Sequence, residues 1–219
     1  MKRHIKRIIK HVFAWWSIEL AILWPIHFTI SVMRKVNGIQ LAAAQLSAIA
    51  VCVKDKAPSK LLVFGLGNDS LFWLRLNRGG VTLFLEENDN WFHQMMQKSK
   101  EVRAFLVKYN TQISDWRMLL EHQSLLDMTL PNEVVKEKWD IIIVDAPEGW
   151  NDQTTGRMKS IYQSSRLIKK SGDIFVHDCN REVEDVYCNK FLKKENLKIE
   201  IKAPVGFLRH YHMTNRSTC

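Results

Sequence analysis

Four short apolar runs, each ending in a polar cluster, constrain this chain more than any other feature. Leu61-Leu-Val-Phe64 runs into Gly65-Leu-Gly67-Asn68-Asp69-Ser70, and Val81-Thr-Leu-Phe-Leu85 runs into Glu86-Glu87. Trp139-Asp-Ile-Ile-Ile-Val144 leads to Asp145-Ala-Pro147, and Asp173-Ile-Phe-Val176 leads to His177-Asp178. Runs this short and this apolar read as strands buried on both faces. A weaker strand is expected near Arg103–Val107. Helical spacing of apolar residues falls over Ile39–Val53, Leu71–Asn77, Trp91–Lys100, Arg157–Ile168 and Arg181–Leu192. Asp69 or Ser70 is expected to cap the second of these, and Lys170-Ser-Gly172 to form a turn before the strand at Asp173. Strands alternating with helices predict an α/β domain with a mainly parallel sheet, covered on both sides. Leu197–Lys202 and Phe207–Met213 flank Pro204-Val-Gly206 and predict a C-terminal antiparallel strand pair. With 219 residues, the chain holds one such domain, 38–219, behind an N-terminal segment, 1–37.

That segment begins with Lys2, Arg3, Lys6, Arg7 and Lys10, followed by an apolar run from Val12 to Met33. The run is long enough to cross a bilayer, and the preceding positive charge would keep the N-terminus cytoplasmic. Glu19, Pro25 and His27 are awkward inside hydrocarbon, so a helix lying on a membrane, or packed on the domain, is an equal expectation. The net charge of +9 suggests an acidic partner: nucleic acid, a membrane surface or an anionic sugar. Cys52, Cys179, Cys188 and Cys219 show no zinc-ligand or CxxC spacing and read as free thiols.

In an open α/β sheet, ligands bind beyond the carboxyl ends of the strands, where all four polar clusters fall. Gly65 and Gly67 let the backbone turn sharply and approach a ligand. Glu86 and Glu87, about 20 residues further on, sit where a carboxylate accepts hydrogen bonds from ribose hydroxyls. Together they indicate an adenosine-type cofactor, either NAD or S-adenosylmethionine (SAM). The dinucleotide fingerprint needs a third glycine where this chain has Ser70, and Asp69 suits a cationic cofactor better than a pyrophosphate. SAM is therefore the cofactor expected.

Longer strings carry a resemblance. Leu62-Val-Phe-Gly-Leu-Gly-Asn-Asp-Ser-Leu-Phe-Trp73, Gly79-Gly80 and Phe84-Leu-Glu-Glu87 resemble the plant glucuronoxylan 4-O-methyltransferases and their polysaccharide-biosynthesis relatives. So do Trp139–Pro147, Gly156-Arg-Met158 and Val176-His-Asp-Cys-Asn-Arg-Glu-Val-Glu-Asp185, in matching order between Gln40 and Met213. The resemblance implies a class I SAM-methyltransferase, Rossmann-like fold. It further implies methyl transfer to the 4-hydroxyl of glucuronic acid on an acidic polysaccharide. A Golgi membrane address follows if the protein is of the plant type, and a cytoplasmic or membrane-associated one otherwise.

Methyl transfer to an alcohol requires aligned partners and a route for a proton of high pKa. Asp178, with His177 beside it, leads as general base, and Asp145 completes the catalytic set. In a metal-assisted alternative, Asp145, Asp178 and Asn180 would converge as oxygen ligands of a divalent ion. The cofactor set is Gly65, Gly67, Asp69, Ser70, Glu86, Glu87 and Asp145, with Asp115 placed to receive the adenine amino group. Arg157 and Arg181 open helices near the site, where paired hydrogen bonds would hold a uronate. Two other classes compete: a nucleic-acid methyltransferase and a non-catalytic assembly protein of polysaccharide synthesis. Asp145-Ala-Pro147 is a poor match to the Asn/Asp-Pro-Pro-Tyr signature of amino-methylation, which argues against nucleic acid.

Overall fold

A computed structural model describes residues 26–214. The basic cluster Lys2–Lys10 and the first part of the apolar run, 12–25, lie outside the described residues. The elements are α1 (Ile26–Asn37), α2 (Ala43–Lys56), β1 (Lys60–Phe64), α3 (Ser70–Leu76), β2 (Val81–Glu86), α4 (Asp89–Lys98) and β3 (Ala104–Leu106). They continue with α5 (Trp116–Glu121), α6 (Asn132–Val135), β4 (Trp139–Val144), α7 (Met158–Leu167), β5 (Ile168–Val176), α8 (Glu182–Tyr187), β6 (Leu197–Ala203) and β7 (Gly206–His212). One seven-stranded sheet runs in the order β3-β2-β1-β4-β5-β7-β6. β1 to β5 are parallel, while β7 pairs antiparallel with both β5 and β6.

Alternation along the strands builds two cores. Leu62, Phe64, Leu83, Leu85, Ile142, Val144, Ile174 and Val176 face one side and pack with Ile161 of α7 and Tyr187 of α8. Leu61, Val63, Phe84, Ile141, Ile143 and Phe175 face the other, against Leu46 and Ile49 of α2 and Phe72 and Trp73 of α3. Side chains two apart share a face in a strand, so an uninterrupted apolar run fills both cores at once.

Several boundaries differ from the sequence expectation. Ile30 and Met33 of α1 are fully buried in the second core, so this part of the apolar run packs on the domain. No helix among the described residues is long and apolar enough to cross a membrane. α2 starts at Ala43 rather than Ile39: the chain turns at Gly38 (φ +68°), and Ile39 and Leu41 are buried before the helix begins. Lys170-Ser-Gly172 is a bulge inside β5 rather than a turn before it. Ser171 adopts φ +67°, the β4–β5 register shifts between Trp139 and Ile141, and Met213 bonds on both sides of the kink. Neither Asp69 nor Ser70 caps α3 with its side chain; the Ser70 hydroxyl instead accepts the Gly67 N–H at 2.9 Å. The helix after Arg181 is regular only to Tyr187 and continues as a π-turn, Cys188–Leu192.

Candidate active site

The carboxyl ends of β1, β2, β4 and β5 surround a cavity of about 1120 Å³. The β1 turn contributes Gly65, Leu66, Gly67, Asn68 and Asp69, the end of β2 contributes Glu86, Glu87 and Asn88, and the first turn of α4 contributes Trp91. The loop after β4 supplies Asp145 to Trp150 and Arg157; the end of β5 supplies His177, Asp178 and Arg181. Arg34, Gly38 to Leu41, and Val205 at the tip of the β6–β7 hairpin close the rim.

Glycine is required where the β1 turn meets the β4 loop. Gly65 has φ +119°, and a Cβ there would stand 3.2 Å from the Ala146 Cβ. Glu86 ties the turn down: its carboxylate accepts the N–H groups of Leu66 at 3.0 Å, Glu87 at 2.9 Å and Asn88 at 2.8 Å. Trp91 Nε1 donates to the Leu66 carbonyl on the same turn. Glu87 is half-buried beside it; burial raises its carboxyl above the ordinary value, although the Thr155 side chain bonds to it. Asp69 accepts Trp73 Nε1 at 2.9 Å, and burial together with the charge of Asp145 pushes its carboxyl up to about 6. This side of the cavity is rich in carboxylates.

The other side is organised by Arg157, which is buried. Its Nε donates to the Pro147 carbonyl at 3.1 Å, its Nη1 to the His177 carbonyl at 2.7 Å and its Nη2 to the Asp145 carbonyl at 3.0 Å. Nη2 also reaches Asp145 Oδ1 at 3.2 Å and Asp178 Oδ2 at 2.9 Å. Arg181 Nη2 meets the same Asp178 oxygen at 3.0 Å. His177 Nδ1 lies 3.1 Å from Asp145 Oδ1 and 3.4 Å from Asp178 Oδ1. Burial alone would raise Asp145, but the hydrogen bond from His177 and the Arg157 charge hold it below the ordinary carboxylate range. Asp178 sits at φ +63°, a conformation Asp tolerates better than most residues. The hairpin tip packs on it: at Gly206 (φ +129°) a Cβ would stand 2.4 Å from Asp178 Oδ1.

Gly65, Gly67, Asp69, Glu86, Glu87, Asp145, Arg157, His177, Asp178 and Arg181, all expected at the site, line this one cavity. Ser70, Asp115 and Asn180 do not. Ser70 is buried under the turn, and Asp115 accepts the Gln112 N–H at 3.1 Å beside α5, away from the cavity. Asn180 is exposed and its Oδ1 accepts the Phe207 N–H at 3.0 Å. With Asp178 held by two guanidinium groups, the expected set of Asp145, Asp178 and Asn180 does not form a divalent-ion site. Arg157 is likewise not a free cation at a helix end, because its donors are engaged within the protein. Trp150, Glu148 and Glu184 were not singled out from sequence. The first two follow the β4 strand end, a position that could have flagged them. Glu184 is fully buried with both carboxylate oxygens lacking hydrogen-bond partners, 3.9 Å from Arg181 Nη1, and burial raises its carboxyl.

The sheet order, the glycine turn after β1 and the carboxylates after β2 are those of the class I methyltransferase fold. Among solved structures the chain is similar to a SAM-dependent O-methyltransferase from Thermotoga maritima (12% identity, TM-score 0.52, covering 82% of this chain and 68% of that one). It is also similar to the O-methyltransferase TomG from Streptomyces achromogenes (12% identity, TM-score 0.50, covering 79% and 81%).

The model of the IRX15/IRX15L/GXM family matches residues 44–129 and 123–211, and the chain belongs to this family. Glucuronoxylan 4-O-methyltransferase 2 of Arabidopsis thaliana is 36% identical over 179 residues, covering 72% of this chain and 60% of that protein. Arabinogalactan O-methyltransferase 2 of the same plant is 36% identical over 188 residues, covering 74% and 63%. The chain thus spans about three-fifths of the length of these relatives.

Proposed function

We propose that this chain is a SAM-dependent O-methyltransferase acting on a sugar hydroxyl, the 4-hydroxyl of a glucuronic acid residue in a polysaccharide. The observation that carries the reading is a single cavity with two chemically distinct sides meeting at Asp145. Asp69, Glu86 and Glu87 line the side beyond β1 and β2, where a cationic, ribose-bearing cofactor fits. Arg181 lines the side beyond β5, where a uronate fits, with its side chain 30% exposed.

SAM, when bound, supplies an electrophilic methyl group on a sulfonium. The residues of the chain align the acceptor and receive its proton. Asp145 is the most accessible of the three clustered acid–base groups, with its side chain 34% exposed against 9% for both His177 and Asp178. Its Oδ1 is fixed by Arg157 and His177, leaving Oδ2 to accept the hydroxyl proton. Asp178, whose Oδ2 meets Arg157 Nη2 at 2.9 Å and Arg181 Nη2 at 3.0 Å, serves as their anchor. Arg157 and Arg181 share that anchor, so a carboxylate on Arg181 is held near Asp145. In glucuronic acid the 4-hydroxyl is on the ring carbon next to the one bearing the carboxylate, which suits this arrangement.

The test is incubation with methyl-labelled SAM and a panel of glucuronoxylan, arabinogalactan, neutral xylan and RNA, with and without a chelator. Label is expected in the uronate-bearing glycans, insensitive to chelation. Label in RNA alone, or in no polymer despite SAM binding, would overturn the proposal.

A further inference from the structure

Trp150 is the most exposed large hydrophobic side chain among the described residues, at 68%. It stands on the rim of the cavity, immediately after the buried Gly149. Gly149 is packed against the acceptor side: a Cβ there would lie 3.2 Å from Arg181 Nη1 and 3.0 Å from Glu184 Oε1. Consecutive Cα atoms are about 3.8 Å apart, so the indole is rooted one residue from the backbone packed against the Arg181 guanidinium, which lines the same cavity. Trp150 Nε1 donates to Glu148 Oε2 at 3.1 Å. That bond fixes one edge of the ring in a side chain that remains mostly open to solvent.

The cavity, at about 1120 Å³, exceeds the ~300–1,000 Å³ usual for one small ligand and leaves room beside a cofactor. A pyranose with mostly equatorial hydroxyls presents axial C–H groups on its faces. These carry slight positive charge and match the negative face of an indole. Glu148 beside the ring disfavours a carboxylate on Trp150, while Arg181 attracts one, so the charges orient a uronic acid in one sense.

We propose that Trp150 is the stacking platform for the pyranose ring of the acceptor while Arg181 holds its carboxylate. This rests on the sugar-methyltransferase reading above and assigns the acceptor subsite within it. The ring of the acceptor leaves water for the indole face, and the hydroxyl to be methylated turns inward toward Asp145.

Trp150→Ala and Trp150→Phe test the assignment in the full chain. Trp150→Ala is expected to raise the acceptor KM about tenfold, with kcat at saturation within about threefold and S-adenosylhomocysteine affinity unchanged by calorimetry. Trp150→Phe, which keeps an aromatic face, should stay within about threefold of the wild type in KM. An unchanged KM in Trp150→Ala, equal impairment of both variants, or loss of S-adenosylhomocysteine binding would overturn it. Binding is also read without turnover, by indole fluorescence as an aldobiouronic acid is titrated into the S-adenosylhomocysteine complex. Quenching in the wild type that is missing in Trp150→Phe supports the platform even if no methyl is transferred, in which case only the catalytic reading falls. No quenching in the wild type overturns the platform itself.

Discussion

His177 and Asp145 meet through Nδ1 and Oδ1 at 3.1 Å, clamping the end of β5 to the end of β4. An ionised carboxylate only accepts, so Nδ1 carries the hydrogen of this bond. The pair therefore orients Asp145 toward the cavity from one side, while Arg157 does so from another. His177→Ala should lower kcat about 10- to 100-fold while leaving S-adenosylhomocysteine affinity within a few-fold. Steady-state kinetics beside calorimetry checks this, and unchanged kcat would remove His177 from the proton-handling set.

Arg157 should be the most structurally costly single charge to remove. Arg157→Met leaves Asp178 without one guanidinium and three carbonyls without their donors. Breaking a buried pair by deleting one partner costs about 3–5 kcal/mol, which urea unfolding would register directly. Arg157→Lys keeps the charge but cannot reproduce the fork of bonds, and is expected to recover less than half of that loss.

Asp69 predicts a pH dependence of cofactor binding. Its carboxyl lies at about 6 instead of 3.8, so the fold prefers it protonated. The contribution to stability is complete below 3.8 and is lost as pH rises through about 6. A cation beside Asp69 favours the ionised form, so SAM affinity should rise with pH through about 6 and level off above 7. Asp69→Asn should abolish that rise, weaken SAM binding and raise the melting temperature of the cofactor-free protein at pH 7. Calorimetry over pH 5–8 and a thermal melt measure all three.

Asp173 should govern acid stability at the β5–β7 seam. Its Oδ1 accepts His210 Nε2 at 2.7 Å and His212 Nδ1 at 3.0 Å, and Lys56 pairs with Oδ2. Burial would raise this carboxyl, but those bonds outweigh it and leave it far below the ordinary range. Its stabilisation is present above the ordinary value of 3.8 and is lost as pH falls toward the depressed one. Asp173→Asn should cost about 2 kcal/mol or more at pH 7 and flatten the acid limb of the stability curve.

Much of this architecture was legible from sequence because its signals were local. Trp139–Val144 is apolar enough that the strand begins and ends where the run does. Gly65 and the acidic pair at Glu86-Glu87 marked the cofactor side through turn chemistry and spacing alone. The start of β5 was hidden because Ser171 in a left-handed conformation looks like a turn, and only pairing with Met213 shows that the strand continues. Arg157 and Arg181 look alike as basic residues opening helices, yet one is buried among carbonyls and the other is part-exposed at the cavity beside Asp178. Asn180 and Asp115 lie off the cavity for a related reason: each side chain accepts a backbone N–H, that of Phe207 in β7 and that of Gln112 three residues back, and sequence does not reveal that choice.

The most direct measurement is the position of the transferred methyl group on the sugar, read by NMR and mass spectrometry of the digested glucuronoxylan product. The account predicts an ether on O4 of the glucuronic acid, next to the carbon bearing the carboxylate that Arg181 holds. A methyl ester on that carboxylate, or methylation confined to neutral xylose hydroxyls, would contradict it.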